Sequence, residues 1–226
     1  MTSDDPWLAA VWPFVHGQLP PAPASVLEVG CGRLGGFVPA LLDAGYQAVG
    51  VDPEAPEGPD YRRVEFERYE PPHPVDCVVA SLSLHHVVDL DAALDRLTVL
   101  LAPGGVLVVV EWAWERFDEA TARWCFARLA SPTDEAEPGW LHHHRERWAA
   151  SGQPWDAYLR TWAGQEGLHQ GGAIVRGLDA RFTRRFHAEA PYFFADLADT
   201  TEVEEQAALD AGQIRASGIR YAATRA

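Results

Sequence analysis

The sequence predicts an α/β domain built on a mostly parallel sheet, and three observations carry that reading. Strand-like apolar runs alternate with helix-like segments from residue 25 to residue 112, an order that forces parallel pairing with crossover helices. The stretch "VDCVVASLSL", residues 75–84, is apolar on both faces, as a central parallel strand is. At 226 residues the chain is long enough to bury about 70% of its unfolded surface.

Each element follows from local chemistry. Residues 5–18 read as a helix with Trp7, Leu8, Val11, Trp12 and Val15 on one side, ended by Gly17 and the linker "LPPAPA". A strand at Val26–Val29 follows, and Gly35 and Gly36 open a helix that runs through Ala44 and stops at Gly45. "QAVGVD" is the second strand, ending at Asp52, and "PEAPEGPD" is a loop because its prolines exclude regular structure. "YRRVEF" is a weak third strand and "VDCVVASLSL" the fourth. In "DLDAALDRLTVLLAPGG", Asp89 or Asp91 caps a helix with the stripe Ala92, Leu94, Leu97 and Leu101, which Pro103, Gly104 and Gly105 end. "VLVVVEW" is the fifth strand.

After Glu111 the pattern becomes helical and rich in aromatics, with Trp112, Trp114, Trp140, Trp148, Trp155 and Trp162. A connection of that length inside a compact domain suits a lid or substrate cap. "ARFTRRFHAEAPYFF", a helix around Glu202–Ala211 and "SGIRYAAT" close the chain as strand, helix, strand. The expected division of this one domain is an N-terminal helix and linker at 1–24, a cofactor-binding half at 25–112, a helical insertion at 113–178, and final strands and helix at 179–226.

Composition narrows the partners. With 33 acidic against 18 basic side chains the formal net charge is -15, and no cluster of arginines offers the positive surface that phosphate binding needs, so nucleic acid is not an expected partner. Every basic residue is arginine, which excludes a Schiff-base or general-base lysine. Cys31, Cys77 and Cys125 lie far apart, outside any C-x-x-C pair, so neither a disulfide framework nor a zinc site is indicated. The acidic start "MTSDDPWLAAVW" does not read as a signal peptide, and no stretch reaches the roughly 20 apolar residues of a membrane span. A cytoplasmic protein, monomer or homodimer, is the expectation.

The loop "SVLEVGCGRLGG", residues 25–36, bears on function. Gly30, Gly32 and Gly35 fit the G-x-G-x-x-G dinucleotide spacing, whereas Glu28, two residues before the first glycine, fits the E-x-G-x-G start of an S-adenosylmethionine site. A carboxylate there sits badly beside a pyrophosphate but suits a ligand carrying an ammonium and a sulfonium. Asp52 does not discriminate, since an acid at that place accepts ribose hydroxyls in either case.

The wider set of motifs resembles the class I S-adenosylmethionine-dependent methyltransferases of small-molecule type. "VLEVGCG", "VGVDP", "VDCVVASLSLHHV" and "LLAPGGVLVVVE" are similar to that family's first, second, fourth-strand and fifth-strand motifs, in order, over residues 25–112. "SLSLHHV" is also similar to the ubiquinone and menaquinone C-methyltransferase group, but the aromatic insertion does not match that group closely. The resemblance implies a Rossmann-like, seven-stranded, mostly parallel sheet with helices on both faces, an antiparallel last strand, and a helical insertion between strands 5 and 6. It implies S-adenosylmethionine as cofactor, with Glu28 toward the methionine amino end and Gly30, Gly32 and Gly35 in the close-approach loop. Asp52 is then at the ribose, Pro53, Phe66 and Glu67 around the adenine, and Ser81 and Leu82 beside the sulfonium. The sequence departs from the family at Leu34, where the third glycine usually stands.

Methyl transfer needs alignment of a nucleophile and, where required, removal of its proton. His85 and His86 directly follow the fourth strand and Glu111 ends the fifth, so these three are the candidate catalytic groups. Trp112, His142 and Tyr192 are candidates for the substrate pocket. Three consecutive histidines, His142 to His144, point about 100° apart on a helix and make a poor metal site, so no metal is expected and a solvated helix face is the plain reading. The expected activity is methyl transfer to a small apolar or aromatic metabolite at oxygen, nitrogen or carbon. The alternatives are an NAD(P)-dependent oxidoreductase and a non-catalytic S-adenosylmethionine-binding module.

Overall fold

The computed structural model describes residues 5–131 and 138–225. Its helices are α1 (Pro6–Gln18), α2 (Val38–Asp43), α3 (Leu90–Leu100), α4 (Glu119–Phe126), α5 (Trp140–Ser151), α6 (Trp155–Gln165), α7 (Gly171–Asp179) and α8 (Glu202–Asp210). Its strands are β1 (Ser25–Val29), β2 (Gln47–Val51), β3 (Tyr61–Arg62), β4 (Val75–Ser81), β5 (Leu101–Trp112), β6 (Thr183–Ala190) and β7 (Gly218–Thr224).

These strands form one seven-stranded sheet in the order β3-β2-β1-β4-β5-β7-β6. β3, β2, β1, β4 and β5 pair in parallel. β7 runs the other way: Gly104 near the start of β5 donates to Arg225 (3.2 Å), and Ala113 just beyond its end donates to Ser217 (2.7 Å). The expected Rossmann-like sheet with an antiparallel last strand is therefore present, with helices between its strands.

Several boundaries moved for local reasons: β4 ends at Ser81 rather than Leu84, because Leu82 turns left-handed at φ +46°, and α2 starts at Val38 rather than at Gly35 and Gly36. The run Leu101–Gly105 belongs to β5 rather than to the end of the preceding helix. Val75 pairs with Leu101 and Cys77 with Val106, so a bulge takes up Ala102–Gly105, and the Gly104–Arg225 bonding ties it to the end of β7. The buried stripe of α3 is accordingly Ala93, Leu94, Leu97 and Leu100, with Asp89 as its cap. The third strand keeps only Tyr61–Arg62, because the Val64 amide bonds back to the Arg62 carbonyl (3.1 Å) and turns the chain away.

The chain divides into two compact units, Met1–Trp112 with His169–Ala188 and Ile219–Ala226, and Ala113–Leu168 with Glu189–Gly218. In the first, Leu8, Val11 and Val15 of α1 and Val38 and Leu41 of α2 pack with Val26, Ala48, Cys77, Val79, Val106 and Val108 from one face of the sheet. Leu27, Val78, Ala80, Leu107 and Val109 are buried on the other face, the alternation a doubly covered sheet requires.

The second unit is organised by aromatic rings. Trp155 is fully buried, its indole N–H donates to the Phe117 carbonyl (2.5 Å), and Phe117, Phe126 and Trp148 meet it edge-on. Glu205 of α8, fully buried, accepts the amides of Tyr192 (2.8 Å) and Phe194 (2.7 Å). Among the described residues no helix is long and apolar enough to cross a membrane.

Candidate active site

The carboxyl ends of β1, β2 and β4 open into one cavity of about 870 Å³, the range of a cofactor site and within the first unit. Its floor is the glycine loop after β1, where Gly30, Gly32 and Gly36 reach the cavity wall. Gly30 has φ +87°, and a Cβ there would stand 2.3 Å from the Ser81 carbonyl, so only glycine lets β1 and β4 close at this point. Gly36 has φ +55° and would push a Cβ to 2.4 Å from the Glu28 carboxylate. Gly35 does not line the cavity; a Cβ there would stand 2.5 Å from the Tyr61 hydroxyl. The wall position next to the loop's end is thus held by Gly36.

Glu28 does not line the cavity either. It is fully buried beneath the loop, and its two carboxylate oxygens accept the Phe37 amide at 3.0 and 2.8 Å, with the Val38 amide also donating to it. Burial pushes its carboxyl up to about 8, partly countered by these backbone donors. Glu28 therefore shapes the loop that faces the ligand. Cys31 lines the cavity, but burial, with Glu28 and Asp52 nearby, pushes its thiol up to about 12; it stays protonated and is no nucleophile.

Asp52, at the end of β2, lines the cavity with one carboxylate oxygen held by the Glu54 amide (2.7 Å). Pro53, Phe66 and Glu67 line the same side. The turn carrying Phe66 is fixed by Arg96 of α3, whose guanidinium donates to the carbonyls of Phe66 and Tyr69.

Ser81 and Leu82 form the wall where β4 ends. Leu82 has φ +46°, a left-handed conformation that a leucine adopts only when its surroundings enforce it, here in part the bond from its amide to the Val110 carbonyl (2.9 Å). Ser83 follows, also lining the cavity, with a buried hydroxyl that has no hydrogen-bond partner among the described residues.

His85, His86 and Glu111 divide their places. His85 and Glu111 are buried together, with Nδ1 of His85 at 2.5 Å from the carboxylate. Glu111 also accepts the amides of Leu84 (2.8 Å), His85 (3.3 Å) and Trp112 (2.7 Å), so it locks the segment after β4 to the end of β5. His86 packs against His85 with ring centroids 4.1 Å apart and planes tilted by 41°, and it lines the cavity, which His85 and Glu111 do not. His169 braces the same segment through the His85 carbonyl (2.9 Å) and the Val87 carbonyl (2.8 Å). Nothing in the sequence around His169 marks that role.

Trp112, His142 and Tyr192 are not among the residues lining this cavity. Trp112 packs edge-on to His85 (6.0 Å), His142 Nε2 meets the Ala130 carbonyl (2.9 Å), and the Tyr192 ring stands edge-on to Phe193 (5.1 Å). The histidine run is no solvated face, since His142 and His144 are buried and only His143 is exposed. His144 bonds the Tyr158 hydroxyl (2.9 Å), and burial pulls its imidazole down to about 4. Among the described residues no group of histidine, cysteine and carboxylate side chains is arranged to hold a metal ion. Missed in the sequence were Asp5, Trp7 and Leu8 from the start of α1 and Arg33, Leu34 and Val88, all at the cavity.

The sequence profile described as "Methyltransferase domain" matches residues 8–164, which takes in the loop and every strand that builds the cavity. The chain belongs to the methyltransferase-domain family. A ubiquinone biosynthesis O-methyltransferase of Bradyrhizobium sp. (strain ORS 278) is 34% identical over 97 residues, covering 37% of this chain and 38% of that protein. The chain thus matches well under half the length of that relative. Among solved structures, an S-adenosylmethionine-dependent methyltransferase from Mesorhizobium loti aligns with 96% of this chain and 98% of its own at TM-score 0.57 and 20% identity. The N-methyltransferase NodS from Bradyrhizobium japonicum WM9, in complex with S-adenosyl-L-homocysteine, covers 99% of this methyltransferase-domain chain and 93% of its own at TM-score 0.55 and 15% identity. At these identities the likeness is one of fold.

Proposed function

We propose that this chain transfers the methyl group of S-adenosylmethionine to a small apolar or aromatic acceptor, at oxygen, nitrogen or carbon. The observation that carries the reading is the charge of the cavity. Among the described residues Asp5, Asp52, Glu54, Glu65 and Glu67 line it with one guanidinium, Arg33; Glu65 is paired with Arg68 (3.1 Å) and Asp5 caps α1, which leaves Asp52, Glu54 and Glu67 as carboxylates facing no cation in the lining but Arg33. Such a wall attracts a ligand bearing a sulfonium and an ammonium and repels a pyrophosphate. The family, and the relatives whose names carry methyltransferase activity, support the same choice.

In this reading Asp52 accepts the ribose hydroxyls, Pro53, Phe66 and Glu67 flank the adenine, and Gly30, Gly32 and Gly36 let the backbone approach the amino-acid end. Glu28 holds the loop from beneath, and Ser81, Leu82 and the Ser83 hydroxyl stand beside the sulfur. When bound, the cofactor supplies an activated methyl group, so the chain's own work is to align the acceptor and take its proton. His86 is the proton acceptor, and the Glu111–His85 pair positions it. We assign the chain to the cytoplasm, as a monomer or homodimer that uses neither nucleic acid nor membrane as substrate.

Calorimetric titration with S-adenosylmethionine and with NADH tests the cofactor, and transfer of label from methyl-labelled cofactor into a metabolite extract tests the activity. Binding of NADH without S-adenosylmethionine would overturn the reading. Replacing His86 by Asn should leave cofactor affinity unchanged and slow transfer by about 100-fold or more.

A further inference from the structure

The part of the cavity left over after the cofactor residues is unlike the rest. Besides the carboxylates Asp5, Glu54 and Glu65, it includes the apolar side chains of Trp7 and Leu8 of α1, Leu34 at the tip of the glycine loop and Val87 and Val88 after His86, with the one guanidinium of Arg33. Leu34 is 77% exposed and Val88 96%, two of the most exposed large apolar side chains among the described residues, and both line this one cavity. Apolar side chains held open to water at the rim of a pocket are the surface an apolar ligand covers. Beside them Arg33 is exposed and has no hydrogen bond or ion pair with any described residue, although five carboxylates line the same cavity. Leu34 also stands where the family's third glycine usually does, so its exposed side chain is a feature of this chain rather than of the common cofactor loop.

Resting on the proposed methyl transfer, the geometry points to an acceptor with an apolar body and a carboxylate: the body lies on Leu34, Val88 and Trp7, and the carboxylate pairs with Arg33. The guanidinium offers the planar fork that a carboxylate matches, in a cavity whose other charges would repel an acid placed anywhere else. The acidic wall therefore gives orientation as well as attraction. An acid bound at Arg33 leaves its opposite, neutral end for the rest of the cavity, which His86 also lines.

The competing source of a carboxylate is the cofactor's own amino-acid end, and separate titrations distinguish the two. Protein saturated with S-adenosylhomocysteine is titrated with hydrocinnamate and with hydrocinnamide, which share an apolar body and differ in charge. The acid should bind about tenfold more tightly than the amide. Arg33→Met should erase that preference, Leu34→Ser should weaken acid and amide alike, and neither should change affinity for S-adenosylmethionine. Equal binding of acid and amide, a preference that survives Arg33→Met, or no binding of the acid at about 10 mM would overturn the inference. So would a tenfold loss of S-adenosylmethionine affinity in Arg33→Met, which gives the guanidinium to the cofactor. A chain that fails to bind S-adenosylmethionine removes the proposed function as well; one that binds it but treats acid and amide alike removes the acceptor assignment alone.

Discussion

Glu28 in the sheet unit and Glu205 in the helical unit solve the same problem with the same group. Each is fully buried, and each uses both carboxylate oxygens to hold backbone amides of a loop, Phe37 and Val38 in one case and Tyr192, Phe193 and Phe194 in the other. Burial raises both carboxyls, Glu28 to about 8 and Glu205 to about 7. They differ in what the loop does. The loop over Glu28 walls the cavity, whereas the loop over Glu205 carries Phe193, which packs within 4.4 Å of Phe117 in an aromatic core. A buried carboxylate of this kind is thus a structural device first, and its link to a ligand depends on which loop it holds.

The sharpest way to break the comparison is Gly30→Ala. A methyl group 2.3 Å from the Ser81 carbonyl, on a residue at φ +87°, forces β1 and β4 apart. We expect a loss of about 4 kcal/mol in denaturant unfolding, together with loss of S-adenosylmethionine binding. Next come Glu28→Ala and Glu205→Ala, each leaving buried amides unpaired at a cost of about 3 kcal/mol. Calorimetry on the folded fraction should show cofactor affinity falling for Glu28→Ala and unchanged for Glu205→Ala; equal effects would erase the distinction. Asp52→Ala reverses the pattern, with stability held and cofactor affinity reduced by about 2 kcal/mol.

The smallest effect, taken per unit of pH, is a slope in stability. Between 4.5, the ordinary value, and about 8, the unfolded chain has released the Glu28 proton while the folded chain retains it, so stability falls as pH rises through this window. Glu205 adds to the fall up to about 7. His144 works on the other side: it binds a proton below 6.5 when unfolded but resists it down to about 4 when folded, so stability is lost as pH drops through that range. Unfolding measured at intervals of pH should show a decline of roughly 1 kcal/mol per pH unit for each participating carboxyl as pH rises from 4.5 toward about 8, levelling off above it, and Glu28→Gln should flatten it.

These residues also mark how far the sequence could be read. Glu28 was visible because it stands at a fixed offset from glycines that end an apolar strand, and Asp52 because it ends the next one. Glu205 sits in "VEEQ" beside Glu202 and Glu204, and nothing local separates the buried one from its neighbours. His85 and His86 are adjacent and equivalent in sequence, yet one is buried on Glu111 and the other lines the cavity. The histidine run at 142–144 reads as surface, whereas two of the three are buried.

By itself the sequence determined the order of strands and helices, the glycine loop, the acid at the end of β2 and the family to which the chain belongs, because strand periodicity, glycine backbone freedom and charge act over a few residues. Only the tertiary structure decided that Glu28 supports the loop from below, that Gly36 rather than Gly35 reaches the cavity, and that Arg33, Leu34, Val88 and Trp7 share its rim. Those facts depend on which distant segments the sheet brings together and on what each side chain meets there, and no spacing along the chain encodes that.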